Sequence, residues 1–140
     1  MTECFVFDIN HPFFEMARKI RYDVFVAEQG VDSNLEFDGH DDEARHYLMY
    51  YNGKPVAAAR VRHTDNGKKL ERFAVMAHCR KMGLGRHFMS FIMDEAGEMY
   101  FHSQLNAVPF YEKAGFETTG DLFFEAGIPH YKMILKNEQA

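Results

Sequence analysis

Cysteine is scarce in this chain: Cys4 and Cys79 are the only two. Two cysteines build neither a disulfide framework nor a thiolate metal site, and a reducing cytoplasm is the simpler setting. Cations are outnumbered, 16 Lys and Arg against 21 Asp and Glu, for a net charge of −5. That argues against a general nucleic-acid binder, which needs a basic face, but leaves room for a local basic pocket. No apolar run approaches the ~20 residues of a membrane span. The opening MTECFVFDIN is acidic and lacks the basic-then-apolar form of a secretory signal, so a cytoplasmic protein is expected. Tryptophan, internal repeats and low-complexity tracts are absent as well.

What is present is ordinary for one globular domain spanning 1–140, at 46% hydrophobic and 26% charged residues. Residues 3–9 form a predicted strand. A helix is expected from Asn10 to Gly30, with Asn10 as its cap and Pro12 in its first turn. Phe13, Ala17, Ile20 and Val24 fall on one face of it at helical spacing. The stretch 31–45 is acidic and is expected to be irregular and solvated. Asn52-Gly53 between HYLMYY and KPVAAARVRH is a strong hairpin signal. A second turn at 64–67 leads into KKLERFAVM. A helix is predicted from Gly83 to Glu98, with an apolar stripe of Leu84, Phe88, Phe91, Ile92 and Met99. A short strand YFHSQ and a short helix NAVPFYEKAG follow. Two last strands, FETTGDLFFEA and HYKMILK, are expected to join through GIP. The order is β-α-β-β-β-α-β-α-β-β, an α+β mixed sheet with helices on its faces rather than a Rossmann alternation.

RKMGLGRH, residues 80–87, sits where a strand gives way to a helix. Unpaired N–H groups at a helix start bind phosphates. Gly83 and Gly85 permit close backbone approach, and Arg80 can grip a phosphate with two N–H groups. A tight turn with solvated cations is the plain alternative. Walker A is excluded, because no Lys-Ser/Thr pair follows the second glycine. The dinucleotide fingerprint is excluded, because Phe88 occupies its third glycine position.

The wider window LERFAVMAHCRKMGLGRHFMSFIMDEA resembles the central motif of the GNAT superfamily of acyl-coenzyme-A-dependent N-acyltransferases. In that family an apolar strand leads to Arg/Gln-x-x-Gly-x-Gly/Ala at a helix start. NAVPFYEKAGF resembles the family's second motif, and RYDVFVAEQG, KLERFAV and FFEAGIPHYKM look like a branch of small bacterial members. Nearly the whole chain is covered. The sequence departs from the family pattern at Ala77, where many members have Pro, and at Lys81, where many have Gly. Neither change removes an N–H that a phosphate would need.

The resemblance implies that the anion is the pyrophosphate of acetyl-coenzyme A, held by the amides of Arg80, Lys81, Met82, Gly83, Leu84, Gly85 and Arg86. It places the pantetheine arm along Phe73, Ala74 and Val75, in a gap between that strand and YFHSQ. Phe110 belongs to the same coenzyme-binding set. Asn106 matches a residue that bonds the arm, or it caps the following helix. Tyr111 matches the tyrosine beside the coenzyme sulfur. A phenol of pKa ~10 protonating a thiolate of pKa ~8.5 works uphill by roughly 2 kcal/mol, so hydrogen bonding to the developing charge matters as much as full transfer.

The acceptor needs a base, since an amine of pKa ~10.4 is uncharged in only about one molecule in ~2,500 at neutral pH. Glu71 and His130 match bases used in the family, and imidazole suits proton abstraction near neutrality. Glu71 could instead pair with Arg60 or Arg72, and His130 could simply begin a strand. Arg21, Glu28 and Gln29 fall where the family shapes its acceptor pocket. The implied reaction is direct acetyl transfer to a small-molecule primary amine in a ternary complex. No metal, nucleic acid or membrane takes part, and a homodimer is the assembly to test. A coenzyme-binding sensor, a protein lysine or N-terminal acetyltransferase, and acyl-homoserine-lactone chemistry are the rivals. Asp38, His40, Asp41, Asp42 and His46 match no standard metal spacing. A covalent route through Cys79 is a minor alternative.

Overall fold

The computed structural model describes residues 1–33 and 37–136. All its strands join one sheet in the order β1-β2-β3-β4-β5-β7-β6. They are β1 (Thr2–Phe7), β2 (Ala44–Tyr51), β3 (Lys54–Thr64), β4 (Gly67–Val75), β5 (Tyr100–Gln104), β6 (Phe116–Glu125) and β7 (Ile128–Leu135). Every neighbouring pair is antiparallel except β4 and β5, which run parallel.

Alternation along the central strands feeds two cores, as the two-residue period of a strand requires. Leu48, Ala58 and Ala74 pack with Ala17, Ile20 and Val24 of helix α1 (Phe13–Arg21) and its continuation. Tyr47, Met49, Ala57 and Ala59 point to the opposite face. There they meet Phe88, Met89 and Ile92 of α2 (Leu84–Ala96) and Val108 of α3 (Val108–Lys113). The α+β architecture and the expected element order are therefore observed. The Asn52-Gly53 turn also lies as expected, both residues having positive φ between β2 and β3.

Local details differ from expectation. Asn10 does not cap α1. Its own amide donates to Asp8 Oδ1, and the Phe13 amide donates to His11 Nδ1. The long first helix changes character at Tyr22 and continues as a π-helical segment, Tyr22–Glu28. Helix α2 stops at Ala96 rather than Glu98, because Gly97 takes φ 77° and turns the chain. The last turn is Ala126-Gly127, so Ile128 and Pro129 already belong to β7.

The acidic stretch is irregular and largely exposed as expected, but it is also tied down to the sheet; its residues 34–36 lie outside the described set. Arg60, fully buried on β3, donates to Asp38 and Asp41 at 2.7–3.0 Å. Arg21 reaches Asp41 at 2.7 Å, and Phe37 lies under the guanidinium groups of Arg18 and Arg21. Ion pairing and cation–π contacts thus fold this stretch onto the α1 face of the sheet.

Candidate active site

The decisive irregularity is in β4. Ala58 pairs with Ala74 and Arg60 with Glu71, so two β4 residues, Arg72 and Phe73, oppose Ala59 alone. This is a β-bulge, with Arg72 in the left-handed region at φ 57°. A bulge bends its strand, and β4 parts from β5 beside it. The two strands pair only at Lys69↔Tyr100 and Leu70↔Phe101. Beyond Leu70, the β4 backbone groups that face β5 have no strand to meet. A cavity of about 600 Å³ opens along this split.

At one end of the split, β4 passes through a turn into α2. Gly83 is the N-cap of that helix at φ 77°, with open space where a Cβ would stand. The next amides, on Leu84, Gly85 and Arg86, have no carbonyl one turn earlier to bond, as at any helix start. A Cβ on Gly85 would lie 3.2 Å from Phe110 Cζ, so this glycine lets α3 pack against the start of α2. Arg80 extends toward the first helical region instead of lying over the glycines. Its Nη1 and Nη2 hold Glu28 at 2.5 and 2.8 Å, and its Nε–H donates to the Val75 carbonyl.

Six of the residues singled out from the sequence line the cavity: Gln29, Glu71, Phe73, Asn106, Tyr111 and His130. Asn106 sits in the turn before α3 and does not cap it; the cap is Ala107, without a side-chain bond. Tyr111 packs against Phe73, Phe101 and Phe110, with ring centroids 4.5–6.2 Å away. Burial pushes its phenol well above the ordinary value. Arg21 is buried beneath the cavity on Asp41, and Glu28 is engaged by Arg80. Neither of them lines it.

Glu71 and His130 occupy contrasting surroundings. The Glu71 carboxylate is 7% exposed and lies 2.7–3.3 Å from Arg60, Arg62 and Lys69. Burial pulls its pKa upward, but the Arg62 hydrogen bond and the charges of Arg60, Lys69 and Arg62 outweigh it and hold the group at about 2. Taking a proton from an amine of pKa ~10.4 would cost such a carboxylate roughly 11 kcal/mol.

His130 is buried on β7, with Nδ1 2.7 Å from the Ile128 carbonyl. A carbonyl only accepts, so in the neutral ring Nδ1 carries the proton and Nε2 the lone pair. Nε2 lies 3.8 Å from Glu125 Oε2. Glu125 and His102, which also line the cavity, were not singled out from the sequence. The visible signal was Glu125 placed five residues before His130 across a glycine turn.

A parallel strand pair split open beside a glycine-led helix start accommodates a long, thin ligand with an anionic head. Comparison with known proteins agrees. The family description "Acetyltransferase (GNAT) domain" matches residues 16–137. YjcF of Bacillus subtilis (strain 168), named an uncharacterized N-acetyltransferase, is 36% identical over 121 residues, covering 82% of this chain and 86% of that protein. The crystal structure of Escherichia coli ElaA superposes with a TM-score of 0.82 at 26% identity, covering 97% of this chain and 100% of that one. A GNAT family acetyltransferase of Elizabethkingia anophelis, solved with acetyl-CoA bound, superposes at 0.67 with 17% identity over 96% and 95%. The chain belongs to the GNAT acetyltransferases. Among the described residues no helix is long and apolar enough to cross a membrane, and no group of three His, Cys, Asp or Glu could hold a metal ion.

Proposed function

We propose that residues 1–140 form one N-acetyltransferase domain that moves the acetyl group of acetyl-CoA to the primary amine of a small metabolite. The observation that carries this is the split between β4 and β5, which pair only at Lys69 and Leu70 and leave a cavity lined by Phe73, Asn106 and Tyr111; Ala74, Val75, Phe110 and residues 80–86 lie outside its lining. The pyrophosphate sits on the amides of residues 80–86, and the pantetheine arm lies along Phe73, Ala74 and Val75 with Asn106 beside it. Phe110 closes against Gly85. The Elizabethkingia neighbour, with acetyl-CoA bound on the same fold, supports the donor.

The transfer proposed is direct; the burial of Cys79, at 4% exposure, supports this reading over a covalent route through that side chain. Tyr111 hydrogen-bonds the departing thiolate; with its phenol raised by burial, donation of a bond outweighs transfer of the proton. His130 Nε2 is the base. Glu71 stays ionised and holds Arg60 and Arg62 behind the cavity and Lys69 in its lining. Gln29 borders the acceptor end, while Arg21 and Glu28 shape that end from behind, through Asp41 and Arg80.

The test is calorimetry with acetyl-CoA, followed by thiol release across a panel of amines, amino acids, amino sugars and peptides. Tyr111→Phe and His130→Ala should each bind acetyl-CoA like the wild type and release thiol at least about tenfold more slowly. Absence of heat with acetyl-CoA would remove the proposal. Activity on intact protein alone would redirect it to a protein acetyltransferase.

A further inference from the structure

Three carboxylates line the cavity: Asp38, Glu71 and Glu125. Two of them are fully committed to cations. Asp38 is bonded to Arg60 and Arg72, and Glu71 to Arg60, Arg62 and Lys69. Glu125 is different. Among the described residues its ion-pair partners are two imidazoles, His102 Nδ1 at 3.0 Å from Oε1 and His130 Nε2 at 3.8 Å from Oε2. Neither carries a permanent charge; the permanent cation acting on Glu125 is Lys69, which is itself ion-paired to Glu71, so this half-exposed lining carboxylate has no guanidinium or ammonium bonded to it alone.

The local backbone is built to hold it there. Glu125 and Ile128 are paired across the two-residue turn Ala126-Gly127, with φ 52° and 77°. Left-handed φ at alanine carries a cost that glycine, asparagine or aspartate would avoid. This strained turn sets two groups at once: the carboxylate facing His130 Nε2, and the Ile128 carbonyl that takes the Nδ1 proton. Phe123 stacks on His130 at 5.9 Å and meets His102 edge-on at 4.9 Å, fixing both rings around the carboxylate.

We propose that Glu125 is the acceptor-recognition group, binding the amine as its ammonium form next to His130 Nε2. The inference rests on the acetyltransferase function above and narrows its acceptors to cationic primary amines. The ammonium gives Glu125 a cation in direct contact, which Lys69, paired to Glu71, does not provide, and His102 orients the carboxylate through its other oxygen. One ammonium proton passes to His130 Nε2, and Glu125 then faces the resulting imidazolium. The freed nitrogen lone pair forms the N–C bond to the acetyl carbonyl carbon as the C–S bond breaks. The sulfur leaves with the C–S electron pair. A second nitrogen proton goes to that sulfur, whose charge Tyr111 stabilises by a hydrogen bond. The proton on His130 returns to solvent, so one acetyl group and one released proton balance the reaction.

The test needs no turnover. Benzylamine and ethanolamine are titrated at pH 7.5 into the full chain, with and without coenzyme A, and the His102 and His130 imidazole signals are followed by NMR. Saturable shifts are expected in the wild type. Binding should weaken about 10- to 100-fold in Glu125→Gln, survive within about threefold in Glu125→Asp, and be absent for benzyl alcohol. Steady-state kinetics should show the same rise in the amine KM for Glu125→Gln, with the acetyl-CoA KM within about twofold of wild type. Equal amine affinity in wild type and Glu125→Gln overturns the proposal, as does the absence of saturable shifts from both amines. Loss of acetyl-CoA binding by the wild-type chain would instead strike the acetyltransferase reading itself.

Discussion

Replacing Glu71 by glutamine should destabilise the fold in a way that depends on pH. The carboxylate is 7% exposed and contacts Arg60, Arg62 and Lys69 within 3.3 Å. Its pKa falls from an ordinary 4.5 to about 2, a gap that corresponds to roughly 3 kcal/mol. The sign follows from linkage. The folded value lies below the unfolded one, so the unfolded chain binds the proton more readily. The stabilisation is therefore complete above 4.5 and fades as pH falls through 4.5 toward 2. By pH 3 about 2 of the roughly 3 kcal/mol should be gone. At pH 7, Glu71→Gln should lose about 3 kcal/mol in urea unfolding and about 10 °C in Tm. Between pH 6 and pH 3 its stability should fall less steeply than that of the wild type. Some acid sensitivity should persist, because Asp38 and Asp41, held low against burial by Arg60, Arg21 and Arg72, titrate the same way. Unfolding followed by circular dichroism across this range decides the matter. Equal stability of the two proteins at pH 7, or parallel acid curves, would refute the assignment of Glu71 as a buried structural anion.

Three further outcomes follow from single contacts. Gly85→Ala should leave Tm within about 3 °C, because the helical gain of alanine, at most ~1 kcal/mol, is offset by a Cβ 3.2 Å from Phe110 Cζ; acetyl-CoA affinity by calorimetry should still fall a few-fold as Phe110, part of the proposed coenzyme site, is pushed aside. Glu28→Gln should tighten acetyl-CoA binding a few-fold by releasing the Arg80 guanidinium from its two-bond pair, and the gain should shrink with added salt; weaker binding would contradict it. Ala126→Asn should raise Tm by a few degrees, since asparagine tolerates φ near 52° better than alanine does. A lower Tm in thermal melts would show that the turn is not strained.

Where local chemistry dictates geometry, the sequence was legible. Asn52-Gly53 adopts positive φ at both positions and makes its turn, and the helical period of α2 buries Leu84, Phe88 and Ile92. The α+β order followed from such elements taken together, and the family from the resemblance carried by the motifs at 70–96 and 106–116. What could not be read depends on distant partners. The tether on the acidic stretch was hidden because Arg60, its principal counter-ion, lies 22 residues from Asp38 in the chain. Arg72 gave no sign of a bulge, because an arginine in the left-handed region is set by tertiary context rather than propensity. The last turn was placed at GIP because alanine is not a residue that invites positive φ. That displacement hid Glu125, which becomes visible as a site residue only once Ala126-Gly127 pairs it with Ile128 and brings it to His130.

The bulge and the buried charges make one arrangement. Opening a parallel pair inside a sheet leaves backbone groups without partners, and a left-handed arginine adds roughly 1 kcal/mol of strain. Something must keep β4 from closing back onto β5. The Arg72 side chain is held by Asp38 at 3.0 Å, and its neighbour Glu71 by Arg60 on the adjacent strand. Arg60 in turn binds Asp38 and Asp41. The bulged residue and the residue before it are thus pinned, on the α1 side, to the same buried guanidinium and its acidic partners. The contacts that fold the acidic stretch down are those that hold the split open. A variant that loosens Arg60, such as Arg60→Met, should therefore lose acetyl-CoA affinity as well as stability, although Arg60 is fully buried and reaches the cavity only through its carboxylate partners. Calorimetry at a temperature where the variant remains folded separates the two effects. Wild-type acetyl-CoA affinity in a folded Arg60→Met protein would show that the split between β4 and β5 is maintained without the network.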